Sequence, residues 1–184
     1  IKANLSAQIP QRYPYAGQKN PVVELCRYDL QTGESKCIWT SKETDHYLAR
    51  VYFSKSGLFI VEQSRSQKVL SIKKHIPSTD RWTDLYVESS DYWINLTDDL
   101  NINENGEIIY TSETLGTRQA IQILQDGSIK RPKSPTHINQ IIDVKDSLIF
   151  AMGWDDTPTE NHLFEINLID NSLRLSLKSS QILV

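Results

Sequence analysis

"HYLARVYFSKSGLFIVEQSRSQKVLSIKKHIPSTDRWTDLYVES" occupies residues 46–89. It holds four runs rich in Val, Ile, Leu, Tyr, Phe and Trp: "YLARVYF", "LFIVEQS", "KVLSIKK" and "RWTDLYV". Runs this short, β-branched and aromatic, suit strands better than helices. The window from Glu43 to Phe53 has some apolar spacing of helical period, but its composition and the Ser56-Gly57 step favour strands. The turn signals "SKSG" and "STDR" join neighbours over a few residues, as antiparallel hairpins require. The stretch reads as one four-stranded sheet.

The same punctuation continues on both sides. Downstream come "INLTDDLNI", "EIIYTSE", "QAIQIL", "INQIIDV", "SLIFAMG", "HLFEINL" and "SLRLSLK", with "NENG", "LQDG", "VKDS" and "IDNS" between strands. Strands opening at Tyr47, Trp93 and Ile138 are each followed by three more, a period of about 45 residues, the size of a four-stranded propeller blade. Upstream, "VVELCRYDL" and "KCIWT" supply two strands around "QTGE". The expected fold is all-β, a partial β-propeller of about three and a half four-stranded antiparallel blades. Its expected parts are a lead-in at 1–20, a half-blade at 21–42, and blades at about 46–89, 92–134 and 137–184. Propellers close with four to eight blades, and an incomplete ring exposes blade faces and edges. With Ile1 in place of a starting Met and no basic, apolar leader, the chain is expected to be a piece of a larger protein that self-associates as a homo-oligomer.

Composition narrows the partners. The 184 residues carry a net charge of -3, with Lys and Arg scattered among acidic residues. No basic stripe exists to neutralise a phosphate backbone, so nucleic acid is not expected as a partner. No uninterrupted apolar run approaches the roughly 20 residues that span a bilayer, so a soluble chain is expected. Cys26 and Cys37 flank a turn centred on Thr32-Gly33 and fall opposite each other on two hairpin arms. They fit a disulfide, a cross-strand thiol pair, or two half-buried packing thiols. Neither CxxC nor Cys-His metal spacing occurs, and no spacing brings two of His46, His75, His137 and His162 onto one strand face, so no metal or cofactor is expected. The histidines read as packing or loop residues. Trp39, Trp82 and Trp154 read as fillers between blades.

Four stretches, in order, carry a family resemblance: "QRYPYAGQKNPVVEL"; "HYLARVYFSKSGLFIVEQSRSQKVLSI" with Arg65 and Gln67; "YWINLTDDLNINENGEIIYTSETLGTRQAIQI"; and "DDTPTENHLFEINL". As a set they resemble the β-propeller of dipeptidyl peptidase IV-type serine exopeptidases. Thr97 stands where the family's Asn-Leu-His-Asp step has His, Thr117 and Gln119 flank Arg118 where Phe and His are usual, and Thr159 replaces Leu. The resemblance implies a parent enzyme that removes dipeptides from peptide N-termini, preferring Pro or Ala second, with Ser, Asp and His in a C-terminal α/β-hydrolase domain. Peptide substrates and that hydrolase domain are then the implied partners. No G-x-S-x-G elbow occurs in these residues, so no catalytic residue is assigned. The family's paired glutamates belong to a segment upstream of "RYPYAG".

Adjacent strand residues point to opposite faces, so Asp98 and Asp99 make a poor acid-base pair and suit a kink or loop. By resemblance, Trp93, Asn95 and Asp98 are expected on the rim of the cavity between propeller and hydrolase. Relatives of the bacterial type imply a periplasmic or secreted location, and a cytoplasmic one stays open. A stand-alone peptide- or protein-binding propeller scaffold, assembled as a homodimer, is the rival reading.

Overall fold

The computed structural model describes residues 15, 17–42 and 44–177. Most of the "QRYPYAG" stretch, the lead-in at 1–14 and the chain after 177 lie outside the described residues.

The chain divides into two compact units, Ile1–Asp45 and His46–Val184. The first holds an antiparallel pair, β1 (Glu24–Tyr28) and β2 (Ser35–Thr40). Its turn is closed by the Asp29 amide donating to the Glu34 carbonyl at 2.8 Å and the Gly33 amide donating to the Asp29 carbonyl at 2.9 Å. The Asp29 carboxylate accepts from the amides of Gln31 and Thr32, which holds its pKa below the usual carboxylate value. Cys26 faces Cys37 across the pair, and their sulfurs form a disulfide. Both residues are exposed, so the alternative of half-buried packing thiols is corrected: neither side chain is packed into a core.

The second unit contains three four-stranded antiparallel sheets. The first is β3 (His46–Ser54), β4 (Gly57–Ser64), β5 (Val69–Ile76) and β6 (Arg81–Ser89). The second is β7 (Asn101–Ile102), β8 (Ile108–Ser112), β9 (Gln119–Ile123) and β10 (Ile129–Lys130). The third is β11 (His137–Lys145), β12 (Leu148–Trp154), β13 (His162–Asn167) and β14 (Leu173–Leu177). In each sheet spatial order follows chain order, the up-and-down pattern of a blade. The fold is all-β, a partial β-propeller of about three and a half blades.

Strand alternation explains the packing. Phe59, Val61, Leu70 and Ile72 put one face of the first sheet against Ile108, Tyr110, Ile121 and Ile123 of the second. The intervening residues of the second sheet, Ile109 and Ala120, turn the other way to meet Ile138, Ile141, Ile149 and Ile166 of the third. The middle sheet is therefore buried on both faces, and "IIYTS" is buried at every position of β8. Fully burying each such isoleucine contributes roughly 1.5–3 kcal/mol.

Two expectations change. "INLTDDLNI" is read as a strand, but only Asn101 and Ile102 enter the ladder; residues 93–100 form a connector. Its backbone groups are met from outside a ladder: the Ile94 amide donates to the Gln67 carbonyl at 2.7 Å, and Gln63 Nε2 donates to the Ile94 carbonyl at 2.8 Å. Trp82 and Trp154, expected as fillers between blades, each meet a histidine of their own sheet. The registers His75↔Trp82 and His137↔Trp154 put each indole beside a cross-strand imidazole of its own sheet, with ring centroids 5.0 and 5.5 Å apart.

Candidate functional site

The connector at 93–100 is fixed by the β4–β5 turn. Gln67 adopts φ 58 there, which turns its carbonyl onto the Ile94 amide, while Lys68 O accepts from the Ser90 amide at 2.9 Å. Ile94 and Leu100 anchor the two ends of the connector in the core, while Asn95 and Asp98 between them are exposed. Trp93 is 62% exposed. Asn95 is exposed, and its Nδ2 donates to Glu113 Oε2 at 2.8 Å.

Glu113 extends this contact into a chain. Its Oε1 accepts from Arg118 Nη2 at 3.1 Å, and Arg118 Nη1 donates to the Asn139 carbonyl at 3.4 Å. The Arg118 carbonyl accepts the Ile138 amide at 2.8 Å, and its amide donates to His137 Nδ1 at 3.4 Å. Arg118 thus clamps the β8–β9 turn to the start of β11. Its Nε is buried with no hydrogen-bond acceptor among the described residues. Burial, with Arg118 nearby, holds the His137 pKa below the usual imidazole value, so the ring stacked on Trp154 favours its neutral form. The β12–β13 loop closes this side: Asp155 Oδ1 accepts from the Thr136 amide and hydroxyl, and Asn161 Oδ1 accepts from Asn139 Nδ2 at 2.9 Å.

Asp98 and Asp99 part company. Asp98 is 79% exposed at its side chain, and its Oδ1 accepts from Arg50 Nε at 2.6 Å, a contact that raises the arginine pKa. Asp99 is 6% exposed; its Oδ2 accepts from Thr111 Oγ1 at 2.9 Å and its Oδ1 from the Ile141 amide at 3.0 Å. One carboxylate reaches toward the first sheet and its neighbour bolts the second sheet to the third. The Thr97 hydroxyl lies 3.3 Å from that of Thr111 and joins the same polar cluster.

Trp93 and Asn95 border a cleft of about 390 Å³ whose other walls include Tyr92, Ser90, Glu113 and Thr114. Asp98 does not line it. The larger cleft, about 660 Å³, lies between the second and third sheets and is lined by Asn103, Glu107, Gln122, Val144, Asp146 and Leu168; none of the three expected rim residues reaches it.

Behind the smaller cleft is a buried triangle. Glu88 Oε2 accepts from the Tyr86 hydroxyl at 2.9 Å and the Ser112 hydroxyl at 3.0 Å. Burial above all pushes the Tyr86 pKa up from 10.0 to about 12, and burial likewise raises that of Tyr110. Between pH 10 and 12 the unfolded chain releases the Tyr86 proton while the folded chain keeps it, so this contribution is full below pH 10 and is lost as pH climbs through that window. The expected loss is up to about 2 kcal/mol, read as a falling urea midpoint that Tyr86→Phe flattens.

Sequence reasoning placed Trp93 and Asn95 together but did not join them to Glu113, Asn139 or the His137–Trp154 stack. The one available signal was Arg118, whose expected neighbours Phe and His are here Thr117 and Gln119.

Comparison with known proteins fits this architecture. Residues 3–181 match the family described as the dipeptidyl peptidase IV (DPP IV) N-terminal region. The chain is 24% identical over 190 aligned positions to dipeptidyl-aminopeptidase B of Aspergillus niger, covering 89% of this chain and 20% of that protein. It thus spans about a fifth of the relative's length. Among solved structures, dipeptidyl peptidase 4 of Porphyromonas gingivalis superposes with a TM-score of 0.80 at 19% identity, over 89% of this chain and 24% of that one. A Bacteroides ovatus protein provisionally named dipeptidyl aminopeptidase IV gives a TM-score of 0.74 at 16% identity, over 89% of this chain and 27% of the other. At such identities the structural likeness speaks for the fold alone. With the family matched along nearly the whole chain and the blade architecture in agreement, the chain belongs to the dipeptidyl peptidase IV N-terminal region family.

Proposed function

We propose that the chain is the propeller portion of a dipeptidyl peptidase IV-like serine exopeptidase, and that it gates and shapes the cavity through which peptides reach a separate hydrolase domain. The family match over residues 3–181 carries this reading. Selection here is by exclusion: a ring of blades admits short or unfolded chains by width, while bond cleavage belongs to the Ser, His and Asp of the partner domain. Trp93 and Asn95 are the rim residues that contact peptide. The indole offers an exposed apolar face, and the Glu113 carboxylate fixes the Asn95 amide so that its Oδ1 can accept from a peptide N–H. Asp98 lies on the same connector outside the cleft these two border, its charge tied to Arg50.

The disulfide supports an oxidising compartment, periplasmic or extracellular. No helix among the described residues is long and apolar enough to cross a membrane.

The purified chain is expected to give only background hydrolysis of Gly-Pro or Ala-Pro chromogenic substrates. Turnover above the blank would overturn the division of labour. Uncleaved Xaa-Pro peptides are expected to change tryptophan emission in the wild-type chain and not in Trp93→Ala; an equal response in both removes Trp93 from the rim.

A further inference from the structure

Glu24, Cys26 and Cys37 bring three metal-ligating atoms within 4.8 Å of one another. Among the described residues no other three His, Cys, Asp or Glu side chains converge in this way. The geometry follows from the hairpin. Glu24 and Cys26 are two apart on β1 and so share a face, and the register puts Cys37 of β2 opposite Cys26. All three are exposed, which leaves a path for an ion to enter.

We infer that these residues form a binding site for a thiolate-seeking divalent cation, Zn²⁺ by ligand chemistry, which opens when the disulfide is reduced. Two thiolates and one carboxylate suit zinc, with bonds of about 2.3 Å to sulfur and about 2.0–2.2 Å to oxygen. Donors around one tetrahedral ion stand roughly 3.5–4 Å apart, so after reduction the two sulfurs, bonded to each other in the oxidised hairpin, must part by side-chain rotation while the Glu24 carboxylate, within 4.8 Å of both, closes in. Three protein ligands leave a fourth position for water.

The chemistry balances with a dithiol as reductant. It delivers two electrons and two protons to the Sγ–Sγ bond and becomes a disulfide itself, leaving Cys26 and Cys37 as thiols. Zn²⁺ then forms two S–Zn bonds and one O–Zn bond and expels both thiol protons, so uptake weakens as pH falls. The oxidised hairpin offers no thiolate and only Glu24. The disulfide and the cation are thus alternative cross-links for the same pair of strands, and neither depends on the cavity-rim reading.

The test uses the full chain, reduced with a phosphine, desalted without air, and titrated with Zn²⁺ against a chromophoric chelator. One equivalent is expected to bind to the reduced chain and none in competition with the chelator to the oxidised chain. Co²⁺ is expected to give a thiolate-to-metal charge-transfer band that Cys26→Ser and Cys37→Ser each remove. Glu24→Gln, an exposed change that leaves the fold intact, is expected to weaken Zn²⁺ binding by about tenfold or more. No uptake by the reduced chain, equal affinity in Glu24→Gln, or uptake only when the β-sheet circular dichroism is lost would each overturn the site.

Discussion

Asp99→Ala is expected to lower the unfolding free energy by about 3–4 kcal/mol, while Asp98→Ala beside it costs about 0.5 kcal/mol. Hydrogen bonds to a charged acceptor contribute about 1.5–3 kcal/mol each, and Asp99 receives two, from the Thr111 hydroxyl and the Ile141 amide. Truncation removes the acceptor of that buried amide, which lies between two register shifts of β11. Asp98 meets Arg50 with 79% of its side chain in solvent, where water screens the pair. Urea unfolding at constant m-value measures both. Thr111→Val supplies a double-mutant cycle with Asp99→Ala, and a coupling of about 1 kcal/mol or more is expected across the shared hydrogen bond. If the two aspartate variants differ by less than about 1 kcal/mol, the bolt between the second and third sheets is not where the energy lies.

The contrast between these two residues shows what the sequence made legible. The continuous apolar runs in "LFIVEQS" and "EIIYTSE" are local signals, and they mark strands buried on both faces. The blade period, the hairpin turns and the facing cysteines were readable for the same reason. The partner of Asp99 was not, since it depends on an irregularity in a strand 42 positions away. "INLTDDLNI" misled because it has strand composition while its polar groups are met by Gln63 and Gln67 of the first sheet. Glu113 and Arg118 look like ordinary turn charges until β11 is placed beside them.

Gly153 gives the other large effect. In the structure Gly153 pairs with Ile138, and a Cβ built on it would stand 2.1 Å from the His137 carbonyl oxygen, 3.1 Å from its carbon and 3.2 Å from the Ile138 Cα. These are backbone atoms of β11, so no rotamer change relieves the clash. The strand must move by about an ångström, and it is held from behind by the Ile138 amide donating to the Arg118 carbonyl at 2.8 Å. Gly153→Ala is therefore expected to cost about 3 kcal/mol or more and to speed hydrogen exchange at the Ile138 amide. Gly116→Ala is the control. Gly116 has φ +88 with nothing within 4 Å of a Cβ, so only the left-handed backbone penalises alanine, by about 1 kcal/mol. Strain at Gly153 would also pull on the clamp that orients Glu113 and Asn95, so the variant is expected to lose the tryptophan response to Xaa-Pro peptides even at temperatures where it stays folded. A Gly153→Ala chain as stable as Gly116→Ala, with an unaltered Ile138 amide, would mean that β11 and β12 do not approach as closely as this pairing requires.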